Sequence, residues 1–313
     1  MSKTLRGAVL GLAVLLSQET GHATDVAPQD TPRTVVIGTE GAFPPWNITR
    51  PDGTLIGFEP DLLQVLCQRA NLRCQLVAQD WDGMIGALQA HKIDVIADAL
   101  QITPARKAVL AFSLPYAITT GVFVTQKDSP LARMANRGLV LDLDASPTPE
   151  RQTQALSALR EELRGKTLGV AISSTYDAFL DKYLADVITV KSYRTMGERD
   201  LDLLSGRIDL TLDDTTYLRP LLAAPDAQDL VLVGPELIGG ELGAGEGFGL
   251  RQDDTALAER LNAAIRSAVE DGTVRRLSLK WFKADATPTL DARPGDAHPG
   301  DAHPGAAAGS PQP

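Results

Sequence analysis

The feature that most constrains this chain is a repeated alternation of short apolar runs with amphipathic ones between about residues 33 and 283. Residues 34–38 (TVVIG) read as a buried strand. Pro60 and Asp61 then mark the first turn of a helix with Leu62, Leu63 and Leu66 on one side. Strands are predicted at 74–78 and 93–97, flanking a helix at 82–92 that turns Met84, Ile85 and Leu88 inward. Thr103-Pro104 reads as an N-cap followed by a first-position proline. A second series begins near Gly165, with a strand at 167–172 and a helix capped by Ser173 or Ser174. Tyr176, Phe179, Leu180, Tyr183 and Leu184 recur there at helical spacing. Strands at 187–190 and 208–212 and helices at 198–204, 216–223 and 256–271 complete the body. The pattern predicts the α/β class, with two domains on mostly parallel sheets. Residues 134–163 break the rhythm with Asn-Arg-Gly and Ser-Pro-Thr-Pro-Glu, and are expected to form a surface insertion.

The two ends read differently from the body. Lys3 and Arg6 precede an apolar run at 7–16, and Gly21-His22-Ala23 offers the small residues favoured at a cleavage site, so 1–23 is expected to be a secretion signal. The run is too short for a membrane span, which needs about 20 apolar residues. No later stretch is apolar enough to span, so export to the periplasm without membrane insertion is expected. At the other end, DARPG and two copies of DAHPG, followed by AAAGSPQP, predict a solvated tail over 284–313.

Composition removes several function classes. The net charge of −10 argues against a nucleic-acid partner, which requires a basic face. With four His and two Cys, the chain lacks the usual ligands for a structural zinc, and no metal or other cofactor is expected. Only His91 remains in the body to serve as a histidine base, and it sits at a polar helix end. The glycine-rich 243–249 stretch (GAGEGFG) fails as a phosphate loop: Phe248 holds the third glycine's place and strand residues follow. It reads instead as a chain crossing. Cys67 and Cys74, at a helix end and the next strand, are expected to form a disulfide in an exported protein. Arg106, in the first turn of a helix, opposes the helix dipole, which suggests an anion held nearby. Of the adjacent Asp213 and Asp214 at a strand end, alternation lets only one face a cleft.

Several motifs, in order, resemble the extracytoplasmic solute-binding proteins for polar amino acids (family 3). They are Ile37-Gly38-Thr39-Glu40-Gly41-Ala42-Phe43-Pro44-Pro45-Trp46, Gly57-Phe58-Glu59-Pro60-Asp61-Leu62, Gln79-Asp80-Trp81-Asp82-Gly83-Met84-Ile85, Ile102-Thr103-Pro104-Ala105-Arg106 and Ala111-Phe112-Ser113-Leu114-Pro115-Tyr116. Gly206-Arg207-Ile208-Asp209 and Asp271-Gly272-Thr273-Val274 through Lys280-Trp281-Phe282 continue the series. The Cys67–Cys74 spacing resembles the lysine/arginine/ornithine-binding members. The Trp81 block, the 134–163 insertion and the glycine-rich loop look closest to the octopine and nopaline branch.

The resemblance implies a two-lobed clamshell of the type II binding-protein kind. Lobe 1 would be 24–120 plus 235–283 and lobe 2 would be 121–234, with hinges near 119–122 and 233–235. It implies a binding protein rather than an enzyme, monomeric, that passes an arginine-, ornithine- or lysine-type amino acid or an opine to an ABC permease. Arg106 would grip the α-carboxylate, aided by the helix N-terminus at Ser173, Ser174 and Thr175. Asp214 would take the α-ammonium and Glu40 a cationic side chain, while Phe43 and Trp81 would sandwich the stem, with Trp46 in the same opening motif. Asp98, Ala99 and Gln101 replace the serines of the basic-amino-acid binders. Asp98 would deepen the preference for a cation, and Gln101 would donate to an opine's second carboxylate. Two rivals are a dehydratase of prephenate-like acids on the same clamshell and a sensor or docking subunit. The acidic lining opposes the first, and the lack of a membrane helix or signalling domain after 283 opposes the second.

Overall fold

A computed structural model describes residues 32–290. The predicted signal at 1–23 and the tail from 291 onward lie outside the described residues. Two sheets dominate. The first runs, edge to edge, Leu72–Ala78, Arg33–Thr39, Val95–Ile96, Gly249–Leu250 and Ala111–Phe112. Its first three strands are parallel, and Gly249–Leu250 alone runs against them, antiparallel to both its neighbours. The second runs Thr189–Tyr193, Thr167–Ala171, Leu210–Asp214, Gly121–Gln126, Leu230–Ile238 and Val140–Asp142. There too the first three are parallel, while Gly121–Gln126 runs against both its neighbours. The sheets are thus mostly parallel, each with one reversed strand, Gly249–Leu250 in the first and Gly121–Gln126 in the second. The reason is topological: strands that arrive from the other sheet enter antiparallel.

Each sheet has its own apolar anchor. On the first, Trp46 packs on Phe58 and Phe282 with ring centroids 5.4 and 4.5 Å away. Phe282 is delivered by two helices, Thr255–Glu270 and Thr273–Trp281, hinged at the left-handed Gly272. On the second, Phe123, Phe179 and Leu180 are fully buried. Each such side chain contributes about 1.5–3 kcal/mol through burial. The body does not stop at 283: Ala286 is buried, and its carbonyl accepts the Ile118 N–H at 2.9 Å.

The helix predicted to open at Pro60 starts two residues earlier, as Phe58–Arg69, because Gly57 (φ 137°) lets the chain approach the Trp46 carbonyl. Residues 134–163 do more than decorate the surface. Val140–Asp142 extends the second sheet, and helix Glu150–Glu162 buries Ala155 and Leu159. Cys67 and Cys74 are disulfide-bonded, tying helix Phe58–Arg69 to the edge strand Leu72–Ala78. Closing so short a loop is worth about 2.5 kcal/mol in the chain-entropy account.

The chain passes between the sheets twice, at 113–120 and at 239–248. The expected hinge at 233–235 falls inside strand Leu230–Ile238, where its register with Gly121–Gln126 shifts between Val233 and Leu237. The glycine-rich stretch lies in the second crossing, threaded between two other backbone segments. A Cβ on Gly243 would sit 2.7 Å from the Ile102 carbonyl oxygen, and one on Gly245 2.7 Å from that of Ala117. Ile102 donates to the Gly245 carbonyl at 2.8 Å, and Tyr116 donates to that of Glu246 at 2.8 Å. These glycines are needed for backbone-to-backbone approach, not for phosphate.

Candidate functional site

The C-terminal ends of the parallel strands from both sheets open onto one cavity of about 480 Å³, counting its mouth. Ligands collect at such strand ends because loops there are free to carry polar groups. From the first sheet, Glu40 follows strand Arg33–Thr39, and Asp98, Ala99 and Gln101 follow Val95–Ile96. Trp81 stands in the 3-10 turn Trp81–Gly83, and Arg106 in the single-turn helix Pro104–Lys107. Phe43 completes this side, its ring 5.4 Å from Tyr217.

Arg106 is placed by its neighbours. The Thr103 hydroxyl accepts the Arg106 N–H at 3.2 Å, capping the turn. The guanidinium lies 5.2 Å from the Trp81 ring centroid, and its Nη1 donates to both oxygens of Gln101 at 3.2 Å. Burial pushes its pKa down to about 10, against the attraction of Asp98. A guanidinium so desolvated, with neutral hydrogen-bond partners, is prepared for an anion.

The acids lie in a buried network. Asn47 Nδ2 donates to Asp98 at 2.8 Å and to Glu59 at 2.9 Å, and the Glu40 N–H donates to Asp98 at 3.0 Å. Glu59, wholly buried, also accepts the Ala99 N–H at 2.8 Å, holding Ala99 in the left-handed region (φ 44°). Burial first, then Glu59 and Glu40, raise Asp98 far above the carboxylate range. Burial, followed by Asp213 and Asp80, raises Glu40 to about 7.

From the second sheet come Ala171, Ser174, Tyr176, Arg194, Met196 and Asp213. Ser174 caps helix Thr175–Leu184, its Oγ accepting the Asp177 N–H at 3.1 Å. Asp213 is paired with the fully buried Arg199, which also holds Asp200 through Nη2 at 2.9 Å and lies 5.3 Å from the Tyr217 ring centroid.

Eight of the expected residues line the cavity: Glu40, Phe43, Trp81, Asp98, Ala99, Gln101, Arg106 and Ser174. Four are elsewhere. Trp46 is core, 0% exposed, its Nε1 donating to Asp214 at 3.1 Å. Ser173 is exposed at a left-handed turn (φ 57°). Thr175 is buried behind the lining, and no hydrogen-bond partner for its hydroxyl is found among the described residues. Asp214 is a helix cap, accepting the Thr216 and Tyr217 N–H groups at 2.6 and 3.0 Å, and burial raises its pKa to about 7. Of the two adjacent acids it is Asp213 that lines the cavity. Arg194, Met196 and Ala171 were missed, although the rule of C-terminal strand ends points to each.

The described lining holds no histidine or cysteine that could act as a base or nucleophile. Among the described residues, no group of three or more His, Cys, Asp or Glu could hold a metal, and no helix is long and apolar enough to cross a membrane.

Comparison with known proteins agrees with this architecture. The octopine-binding periplasmic protein of Rhizobium meliloti is 40% identical over 274 residues, covering 82% of this chain and 92% of that protein. The L-arginine-binding protein of Pseudomonas aeruginosa is 31% identical over 80% of this chain and 88% of its own length. An ancestral arginine-binding protein bound to arginine superposes with a TM-score of 0.66 at 28% identity, covering 80% of this chain and 99% of that one. These relatives are binding proteins, not enzymes. With residues 35–284 matching the family model, the chain belongs to the bacterial extracellular solute-binding proteins, family 3.

Proposed function

We propose that this protein works in the periplasm, capturing a cationic amino acid or an opine built on one and delivering it to an ABC permease. The observation that carries this reading is the pairing of Arg106, stacked on Trp81 and with no ion-pair partner among the described residues, with the acids Glu40, Asp98 and Asp213 around the same cavity. Arg106 grips a carboxylate as a two-pronged donor, and the acids take the amine and the cationic side chain. The two sheets act as lobes that close on the ligand about the crossings at 113–120 and 239–248. Closure is driven only by the ligand's higher affinity for the closed form. The relatives named for octopine and arginine support the same ligand class.

The test is a thermal-shift and calorimetry panel on protein refolded from denaturant to strip bound ligand. The panel is arginine, ornithine, lysine, histidine, glutamate, octopine and nopaline. A ligand at 100 times its dissociation constant adds about 2.7 kcal/mol of stability. A shift with arginine or an opine and none with glutamate is the expected result. A shift with glutamate alone overturns the reading.

A further inference from the structure

Both arginines of the cavity are anchored on consecutive residues of one turn. Arg106 lies over Trp81, while Arg194 reaches across from the second sheet to place Nη2 3.3 Å from Asp82 Oδ2. Both side chains line the cavity, together with three acids, Glu40, Asp98 and Asp213. A free cationic amino acid brings one carboxylate and leaves one guanidinium unserved. Gln101, also expected to meet a second carboxylate, turns its amide oxygen to Arg106 at 3.2 Å, bracing it.

We propose that Arg194 receives a second ligand carboxylate, so that the cavity selects N-carboxyalkyl conjugates of a cationic amino acid over the free amino acid. The charges match. Two carboxylates face two guanidiniums, and the secondary amine and the guanidinium of such a conjugate face the acids. Arg194 is able to make the exchange, because its side chain is 73% exposed and its pair with Asp82 is a surface contact. Pairs of that kind contribute little and are readily given up. A carboxylate inside the cavity offers the same fork a planar, less hydrated partner. Met196, two residues on and also in the lining, supplies an adaptable apolar contact for the added alkyl group.

This assignment rests on the cationic-ligand reading above, and the experiment separates the two. Octopine and arginine are titrated by calorimetry into the wild-type protein and into Arg194→Gln, with circular dichroism as a check on folding. The expected result is that wild type binds octopine more tightly than arginine. Arg194→Gln should weaken octopine about tenfold or more while leaving arginine within about twofold. Arg194→Lys, which keeps the charge, should recover part of the loss. Equal loss for both ligands makes Arg194 a closure contact and overturns the assignment, as does no loss for either. Wild-type protein that binds arginine but not octopine overturns the assignment alone. Binding of neither overturns the reading beneath it as well.

Discussion

The two sides of the cavity handle buried charge in opposite ways. On the second sheet, Asp213 and Asp200 share the buried guanidinium of Arg199, with the Tyr217 hydroxyl donating to Asp200. On the first, Asp98 and Glu59 are held by the Asn47 amide, backbone N–H groups and the Tyr116 hydroxyl, and among the described residues no arginine or lysine hydrogen-bonds to Glu40, Asp98 or Glu59. Burial penalises a charged carboxylate unless a cation or several donors offset it. The second side offsets part of that cost with Arg199, although burial still holds Asp213 above its usual range. The first has no such cation, and the proposed cationic ligand would supply it.

The sharpest way to break this comparison is to remove the cation from one side and a charge from the other. Arg199→Met leaves two buried carboxylates without their partner and should destabilise the fold by about 3–5 kcal/mol. Asp98→Asn keeps the oxygen that accepts from Asn47 and the Glu40 N–H and removes a charge that burial disfavours, so it should change stability by less than about 1 kcal/mol. Urea denaturation of both variants decides it. Equal losses would mean that the two sides are electrostatically alike.

A smaller effect is expected where the fold meets the ligand. Arg106→Gln keeps a donor but loses the fork and the charge, and should weaken binding on the order of 100-fold, or about 2–3 kcal/mol, with little change in ligand-free stability. Calorimetry and denaturation on the same variant separate the two quantities. A large stability loss would show that Arg106 is a structural residue braced by Gln101 rather than a group prepared for a ligand.

How legible this was differs by side. Glu40, Phe43, Trp81, Asp98, Ala99, Gln101 and Arg106 sit in the short segments that follow strands Arg33–Thr39, Leu72–Ala78 and Val95–Ile96, within motifs that can be read as continuous text. The second side is built from single residues, Ala171, Arg194 and Asp213, at the ends of three separate strands, so its composition emerges only once strand ends and register are known. The resemblance points to Asp214, and nothing in a DD pair marks which acid caps the next helix and which lines the cavity. The class of fold followed from alternation alone. The antiparallel entries did not, because they depend on which sheet a strand joins, a long-range choice that local pattern does not encode. Residues 134–163 looked dispensable for the same reason: a three-residue strand carries no periodicity, and its pairing with Glu236–Ile238 is 94 or more residues away in sequence.

Buried carboxyls on both sides predict a pH dependence. Glu40, raised to about 7, and Asp214, also raised to about 7, hold their protons more tightly in the folded state than in the unfolded one. The unfolded chain therefore binds fewer protons between about pH 4.5 and pH 7, and ligand-free stability falls as pH rises through that window. A cationic ligand reverses the sign, since it favours the charged form of Glu40. Its affinity should drop roughly tenfold from about pH 7.5 to about pH 5.5, and binding near pH 7 should release protons. Calorimetry in buffers of different ionisation enthalpy measures that release directly. Proton uptake on binding would contradict the picture.

The smallest expected effect separates the adjacent acids. Asp213→Asn leaves Arg199 with Asp200 alone, shifting the second side towards positive, and should weaken a cationic ligand by about threefold to tenfold. Asp214→Asn keeps a side-chain oxygen for the Thr216 and Tyr217 N–H groups, and asparagine caps helices about as well as aspartate. It should leave affinity within about twofold. The contrast matters more than either number, because the two residues share a strand end and differ in which side of it they face. If Asp214→Asn were the more damaging to affinity, the bond from Trp46 to Asp214 would be acting as a contact that forms on closure. The charge balance that distinguishes the two sides would then have to be counted with Asp214 inside the site.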